Sequence, residues 1–237
     1  MQYEKYLELL NHLKTSSHRN RSKSLCCFSA QKGSEYNNNL MIVGRAVNGW
    51  GNHFDLDSLD VNSMVKAVFE QPSQSFCPMK WVEESWGIKD GYNTNRSAFW
   101  RVTKQISTRL NKSSSDDGWA SKIVWSNLYK VAPSETGNPS NRLCDEQFNS
   151  CNELLMAEIE EYRPNTIIFF TGLDWFNGFL NHKLTLSTDL AYNLIEAHGT
   201  LKIEDKEISI IIAKHPQGKS EGEMVNEIFS IPTLANV

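Results

Sequence analysis

Several features that would assign a chain to a class at sight are missing from this sequence. No stretch reaches the roughly 18 consecutive apolar residues of a membrane helix, which argues against a spanning segment. The five cysteines (Cys26, Cys27, Cys77, Cys144 and Cys151) are odd in number and contain no CxxC pair. No secretory leader is expected, because MQYEKYLELLNHLK carries glutamates where a leader needs an apolar run. That usage predicts reduced thiols and a cytoplasmic setting. Basic residues are also in deficit, 24 Lys and Arg against 28 Asp and Glu, for a formal net charge of −4. This excludes a protein that coats nucleic acid through bulk charge, though not one with a local basic groove. There is no internal repeat, no domain linker and no GxGxxG phosphate loop.

What is present suits one α/β domain over residues 1–237, since this length buries a single sizeable core. Seven Trp, seven Tyr and eleven Phe are enough for that core and leave rings to line a pocket. The densest cationic run, His18, Arg19, Arg21 and Lys23, reads more readily as a solvated linker than as a phosphate contact.

The organising stretch is Leu40 to Gly51, LMIVGRAVNGWG: a short apolar strand running into a loop with Gly44, Gly49 and Gly51. Glycine there leaves backbone amides at the carboxyl edge of a sheet, where open α/β folds bind ligands. Before it, Tyr3 to Leu13 predicts an amphipathic helix. After it, the spacing of Leu59, Val61, Met64, Val65, Val68 and Phe69 predicts another. An insertion is placed around 55–95, and its stretch from Gln71 to Gly91, with proline, two tryptophans and glycine, carries at most one short helix. Asn95 is the expected N-cap of a helix with Phe99, Val102, Ile106 and Leu110 on one face, ended by KSSSDDG. Ile123 to Ser126 reads as a strand leading to Asn127, and APSETGNPSNR as an irregular loop.

Cys144 to Tyr162 predicts a helix that stops before Pro164, TIIFF a central parallel strand, and TGLDWFNGFL a further helix. Leu201–Ile203 and Ile208–Ala213 predict a hairpin whose second strand delivers Lys214, His215 and Pro216, followed by a last helix after Gly222. The alternation of strands and helices predicts a parallel sheet between helix layers, with the Gly44–Gly51 loop, Asn127 and His215 at strand ends.

In that order GRAVNG, SNLYKVAP and HPQGKS resemble the three motifs of the uracil-DNA glycosylase superfamily, which look like GxxPG, TNLxKxxP and HPS. The likeness runs from Leu40 to Lys219, omitting the N-terminal helix and the insertion. It implies a three-layer sandwich with a central, mostly parallel four-stranded sheet. It also implies an N-glycosyl hydrolase acting on uracil or another modified base in DNA, single-stranded or with the base flipped out. Val47 stands in place of the first motif's proline, no carboxylate follows Gly44, and Gln217 replaces the closing serine.

The residue chemistry suits those positions. A fixed carboxamide at Asn127 has one donor and one acceptor, matching uracil O4 and N3–H and opposing cytosine. Alternatively, such an Asn only caps its own loop. His215 would stabilise charge building on the departing base, or merely end a buried strand. Asn48 is expected to hold a water through its amide, Gly44 to offer backbone to the base, and Trp50 or Phe99, with Trp100 as a further candidate, to stack on it. Lys219 is expected to contact a phosphate. No cofactor is expected: the thiols lack iron–sulfur spacing, and His53, Asp55 and Asp57 form only a weak zinc fragment. A catalytically silent nucleobase- or partner-binding module is the competing reading, and a dinucleotide- or phosphate-binding protein ranks last.

Overall fold

The computed structural model describes residues 1–16, 24–70, 76–112, 118–135, 137–181, 183–188, 191–232 and 234. The basic run of His18 to Lys23 lies outside them, as do residues 71–75 of the insertion and most of KSSSDDG. In chain order the elements are α1 (Gln2–Thr15), β1 (Leu25–Cys27), β2 (Gln31–Lys32), β3 (Leu40–Gly44), β4 (His53–Phe54), α2 (Val61–Phe69) and α3 (Lys80–Glu84). Then follow α4 (Ala98–Leu110), β5 (Ile123–Asn127), β6 (Val131–Pro133), α5 (Asn141–Tyr162), β7 (Thr166–Phe169) and α6 (Leu173–Phe176). The chain ends with β8 (Leu184–Ser187), β9 (Ile195–Ile203), β10 (Lys206–Ala213) and α7 (Glu221–Ser230). This is an α/β fold. Among the described residues no helix is long and apolar enough to cross a membrane.

These residues group into two compact units. The first comprises residues 1–30, 44–72 and 126–161. Its helix α1 buries Tyr6, Leu9, Leu10 and Leu13, and the Tyr6 ring meets Phe69 of α2 edge-on at 5.3 Å. Asp60 caps α2 by accepting from the Ser63 amide. β1 is the middle strand of a small antiparallel sheet, β4-β1-β6, with Cys26 opposite both His53 and Ala132. The long helix α5 buries Cys144, Cys151, Leu155 and Ile159 of the stripe its sequence spacing predicts, with Leu154 beside them. Gln147 on that helix donates to the Val131 carbonyl and accepts from the Val131 amide, so a side chain stands in for a strand partner beside β6.

The second unit comprises residues 31–43, 73–125 and 162–237, and holds a seven-stranded sheet ordered β2-β5-β3-β7-β10-β9-β8. β3, β7 and β10 run parallel in register, with Val43 beside Phe169 and Phe169 beside Ile212. β3 and β7 are buried residue after residue, and β10 from Ile210 to Ala213, as strands covered on both faces require. The expectation of a four-stranded sheet is corrected by the antiparallel pairs: β9 against β10, β8 against β9, and β2 against β5. The physical reason is a two-residue turn at Glu204 and Asp205, which folds a nine-residue β9 onto β10. Glycine at 199 then admits the β8 backbone, because a Cβ there would lie 1.9 Å from the Thr185 oxygen.

Two smaller corrections follow from hydrogen bonding. Asn95 does not cap α4: Ser97 holds the N-cap position, and Asn93 instead accepts from the Asn95 and Gly87 amides. TGLDWFNGFL forms only the single turn α6. Most of the tryptophan surplus is core of this unit. Trp100, 2% exposed, packs on Trp125, Trp81 and Trp119 at 5.0, 5.6 and 6.3 Å, which removes it as a stacking surface for a ligand.

Candidate functional site

In the first unit the glycine loop and the end of β5 are tied together through main chain. The Leu128 amide donates to the Gly44 carbonyl at 2.9 Å and the Tyr129 amide to the Arg45 carbonyl at 3.0 Å. Asn127 therefore stands beside the loop that the sequence singled out. Its side chain is 2% exposed, and its Nδ2 is buried with no hydrogen-bond partner among the described residues. A buried amide donor left unpaired carries a desolvation penalty of about 1–3 kcal/mol, which folded proteins retain where a ligand or ordered water completes the bond. The alternative role for Asn127, capping its own loop, leaves this donor unexplained.

What holds Asn127 in place is a buried charge cluster. Lys130 and Glu158 are each fully buried, with Lys130 Nζ 2.7 Å from Glu158 Oε1 and 2.8 Å from Oε2. The same ammonium donates to Ser126 Oγ at 2.8 Å and to the Asn127 carbonyl oxygen at 2.7 Å. Ser126 Oγ in turn donates to Glu158 Oε2 at 2.6 Å. All three ammonium protons are thus engaged, with Glu158 Oε2 accepting from both Lys130 and Ser126 while Oε1 is held by the ion pair alone. Neither Lys130 nor Glu158 had a role legible in the sequence beyond the place of Lys130 in SNLYKVAP. The available signal was Glu158 inside the apolar stripe of α5, seven residues from Cys151 and three from Leu155.

Asn48 lies in the same unit, exposed, and its Oδ1 accepts from the Gly137 amide at 2.8 Å. The oxygen expected to orient a water thus ties the first loop to the segment before α5. Trp50 is half-buried with its ring edge-on to Phe28 at 5.3 Å.

In the second unit His215 follows the parallel strand β10. Its ring lies 6.4 Å from that of Phe99, tilted by 27°, a stacked pair in which both partners are partly exposed. Phe99 is backed edge-on by Phe170 at 5.6 Å. The Gln217 amide donates to His215 Nδ1 at 3.2 Å. Because an amide only donates, Nδ1 is the acceptor and the neutral ring carries its proton on Nε2. The HPQGKS turn closes through the Lys219 amide on the Pro216 carbonyl with Gly218 at φ +71°, leaving the Lys219 side chain in solvent. Arg101 of α4 clasps Glu221 at the start of α7, fixing the turn's far end.

The chain matches no family model and no curated protein.

Each unit thus brings its own expected residues together: Gly44 with Asn127 in the first, Phe99 with His215 and the Lys219 turn in the second. Among the described residues no three His, Cys, Asp or Glu side chains are placed to hold a metal ion. His53, Asp55 and Asp57 are all exposed, with His53 Nε2 bonded to the Trp50 carbonyl oxygen. Cys151 and Cys27 are buried thiols pushed up to about 12 by desolvation, and Cys144 to about 11, so these three are poor nucleophiles and poor ligands near neutrality.

Proposed function

We propose that the protein is a uracil-DNA glycosylase-like N-glycosyl hydrolase that recognises uracil or another modified base in DNA, with the three-layer arrangement of that superfamily. The observation that carries this reading is the buried, unpartnered Nδ2 of Asn127 beside the glycine loop. A carboxamide held by its main chain through Lys130 presents a fixed donor and acceptor, which is what discrimination between uracil and cytosine needs.

His215 supports the chemical step. When the C1′–N1 bond breaks, its electron pair leaves with the base, negative charge builds on O2 and O4, and water supplies the hydroxyl to C1′ while its remaining proton passes to solvent. A neutral imidazole with its proton on Nε2 donates to O2 without having to lose that proton. A preplaced donor of this kind is worth about 3–4 kcal/mol in the transition state. Phe99 offers a ring face for a stacked base, and Lys219 an exposed cation for a phosphate.

One observation favours the second reading, a catalytically silent nucleobase-binding module: Asn48, the assigned water holder, already spends its oxygen on Gly137. An assay on single-stranded oligonucleotides carrying one uracil separates the two. Release of uracil supports the hydrolase. Binding that prefers uracil over thymine without release supports the silent module, and neither outcome removes the nucleobase from the account.

A further inference from the structure

In the loop after β3, Asn48 is followed directly by Gly49, and both residues are exposed and outside any helix or strand. An asparagine before a glycine is open to attack on its own side chain, because the next main-chain nitrogen can reach Cγ and that residue carries no Cβ to obstruct it. Folded chains ordinarily suppress the reaction by holding the main chain and the amide group in hydrogen bonds. The sequence contains two such pairs, Asn48–Gly49 and Asn177–Gly178, and exposure does not separate them, since Asn177 is exposed as well.

Their hydrogen bonds do separate them. Asn177 closes the turn of α6 with its main-chain amide on the Leu173 carbonyl, and its side-chain oxygen accepts nothing among the described residues. At Asn48 the Gly137 amide donates to Oδ1 at 2.8 Å, while Asn48 Nδ2 and the Gly49 nitrogen donate to nothing among the described residues. The oxygen that gains negative charge as a nitrogen adds to Cγ is thus already held by a donor, and the attacking and departing nitrogens are the unrestrained atoms. A Cβ at Gly49 would lie 3.1 Å from the Glu135 carbonyl oxygen, so the loop packs against the segment that supplies the donor. All of these residues belong to the first unit.

We propose that Asn48 deamidates spontaneously and that the aspartate so formed is the carboxylate the first loop otherwise lacks. The Gly49 nitrogen bonds to Cγ, the Cγ–Nδ2 bond breaks, and the Gly49 N–H proton leaves with Nδ2 as ammonia, closing a cyclic imide. Water then opens the ring, its hydroxyl going to one of the two imide carbonyl carbons and its proton to the ring nitrogen, which yields aspartate or isoaspartate. An amide at position 48 has its single oxygen spent on Gly137. A carboxylate keeps that bond and puts a second acceptor where Nδ2 was, which can take a proton from the attacking water. That use of the carboxylate rests on the glycosylase-like reading above, whereas the deamidation does not.

The test ages the full chain in warm, mildly alkaline buffer, with and without denaturing urea, and reads positions 48 and 177 by peptide mass mapping. In the folded chain position 48 is expected to convert about fivefold faster than position 177, and about fivefold faster than itself in urea, the worth of one hydrogen bond in the transition state. Freshly purified Asn48→Asp is expected to release uracil from a single-stranded oligonucleotide about a hundredfold faster than freshly purified wild type. Ageing is expected to raise the wild-type rate and not that of Asn48→Gln, whose longer side chain closes the ring far less readily; matched denaturant midpoints show that the variants are folded. Equal conversion at the two positions, or conversion at 48 no faster in the folded chain than in urea, would overturn the proposal. So would an Asn48→Asp rate no higher than that of a fresh wild type that does release uracil. The two claims fail separately. Conversion as expected with no uracil release by either form leaves the modification standing and sinks the glycosylase-like reading, whereas uracil release without conversion does the reverse.

Discussion

Lys130 and Glu158 pair at 2.7 Å with both side chains fully buried, and the Lys130 ammonium also holds the Asn127 carbonyl oxygen at 2.7 Å. Removing one partner leaves the other charged and unpaired in the interior. Lys130→Ala or Glu158→Ala is expected to destabilise the protein by about 3–5 kcal/mol, read as a drop in the urea midpoint. The double change Lys130→Met/Glu158→Leu is expected to be milder than either single one. If both single variants unfold at the wild-type midpoint, the pair does not brace the strand end.

Asn127 gives the opposite expectation. Leu has the branched skeleton of Asn with bulkier methyl groups and brings no unpaired donor, so relief of the desolvation penalty offsets the tighter packing and Asn127→Leu is expected to stay within about 2 kcal/mol of the wild type. Base discrimination should be lost in the same variant, the trade expected of a residue kept for function. A loss of more than about 2 kcal/mol in the urea midpoint would mean that the amide bonds within the protein after all.

The cysteines predict an alkaline limit. Unfolded thiols ionise near 9, whereas Cys27 and Cys151 are held to about 12 and Cys144 to about 11, so the folded chain keeps protons that the unfolded chain releases. Their contribution to stability is complete below pH 9 and declines as the pH rises toward 11 to 12. Urea midpoints are expected to fall over that window, and less steeply in Cys27→Ala than in the wild type. A flat profile up to pH 11 would contradict the burial of these thiols.

For His215, nitrogen-15 chemical shifts of the neutral imidazole are expected to show the proton on Nε2, because the Gln217 amide occupies Nδ1. A proton on Nδ1 would remove the donor proposed for the base oxygen.

Much of this arrangement was legible in the sequence where an element makes its own pattern. β3 and β7 are continuous apolar runs, and α4 and α5 place buried residues at three- and four-residue steps, so their existence needed no tertiary information. β1, β2, β4 and β6 are two or three residues long and exist through their partners, so nothing in LCC or QK marks them. β9 was read only at its end because Glu196, His198 and Gly199 interrupt its apolar pattern. At the candidate site, the positions of Asn127 and His215 at strand ends were readable. The Lys130–Glu158 pair was not, because a charged residue in an apolar stripe announces a partner only when the two are seen together.

The central claim is tested most directly by incubating the purified protein with a labelled single-stranded oligonucleotide containing one uracil, then cleaving abasic sites with alkali. The account predicts cleavage at the uracil with the intact protein, and none with folded His215→Ala or Asn127→Leu. No cleavage by the intact protein, together with binding that neither prefers uracil over thymine nor weakens with salt, would contradict it.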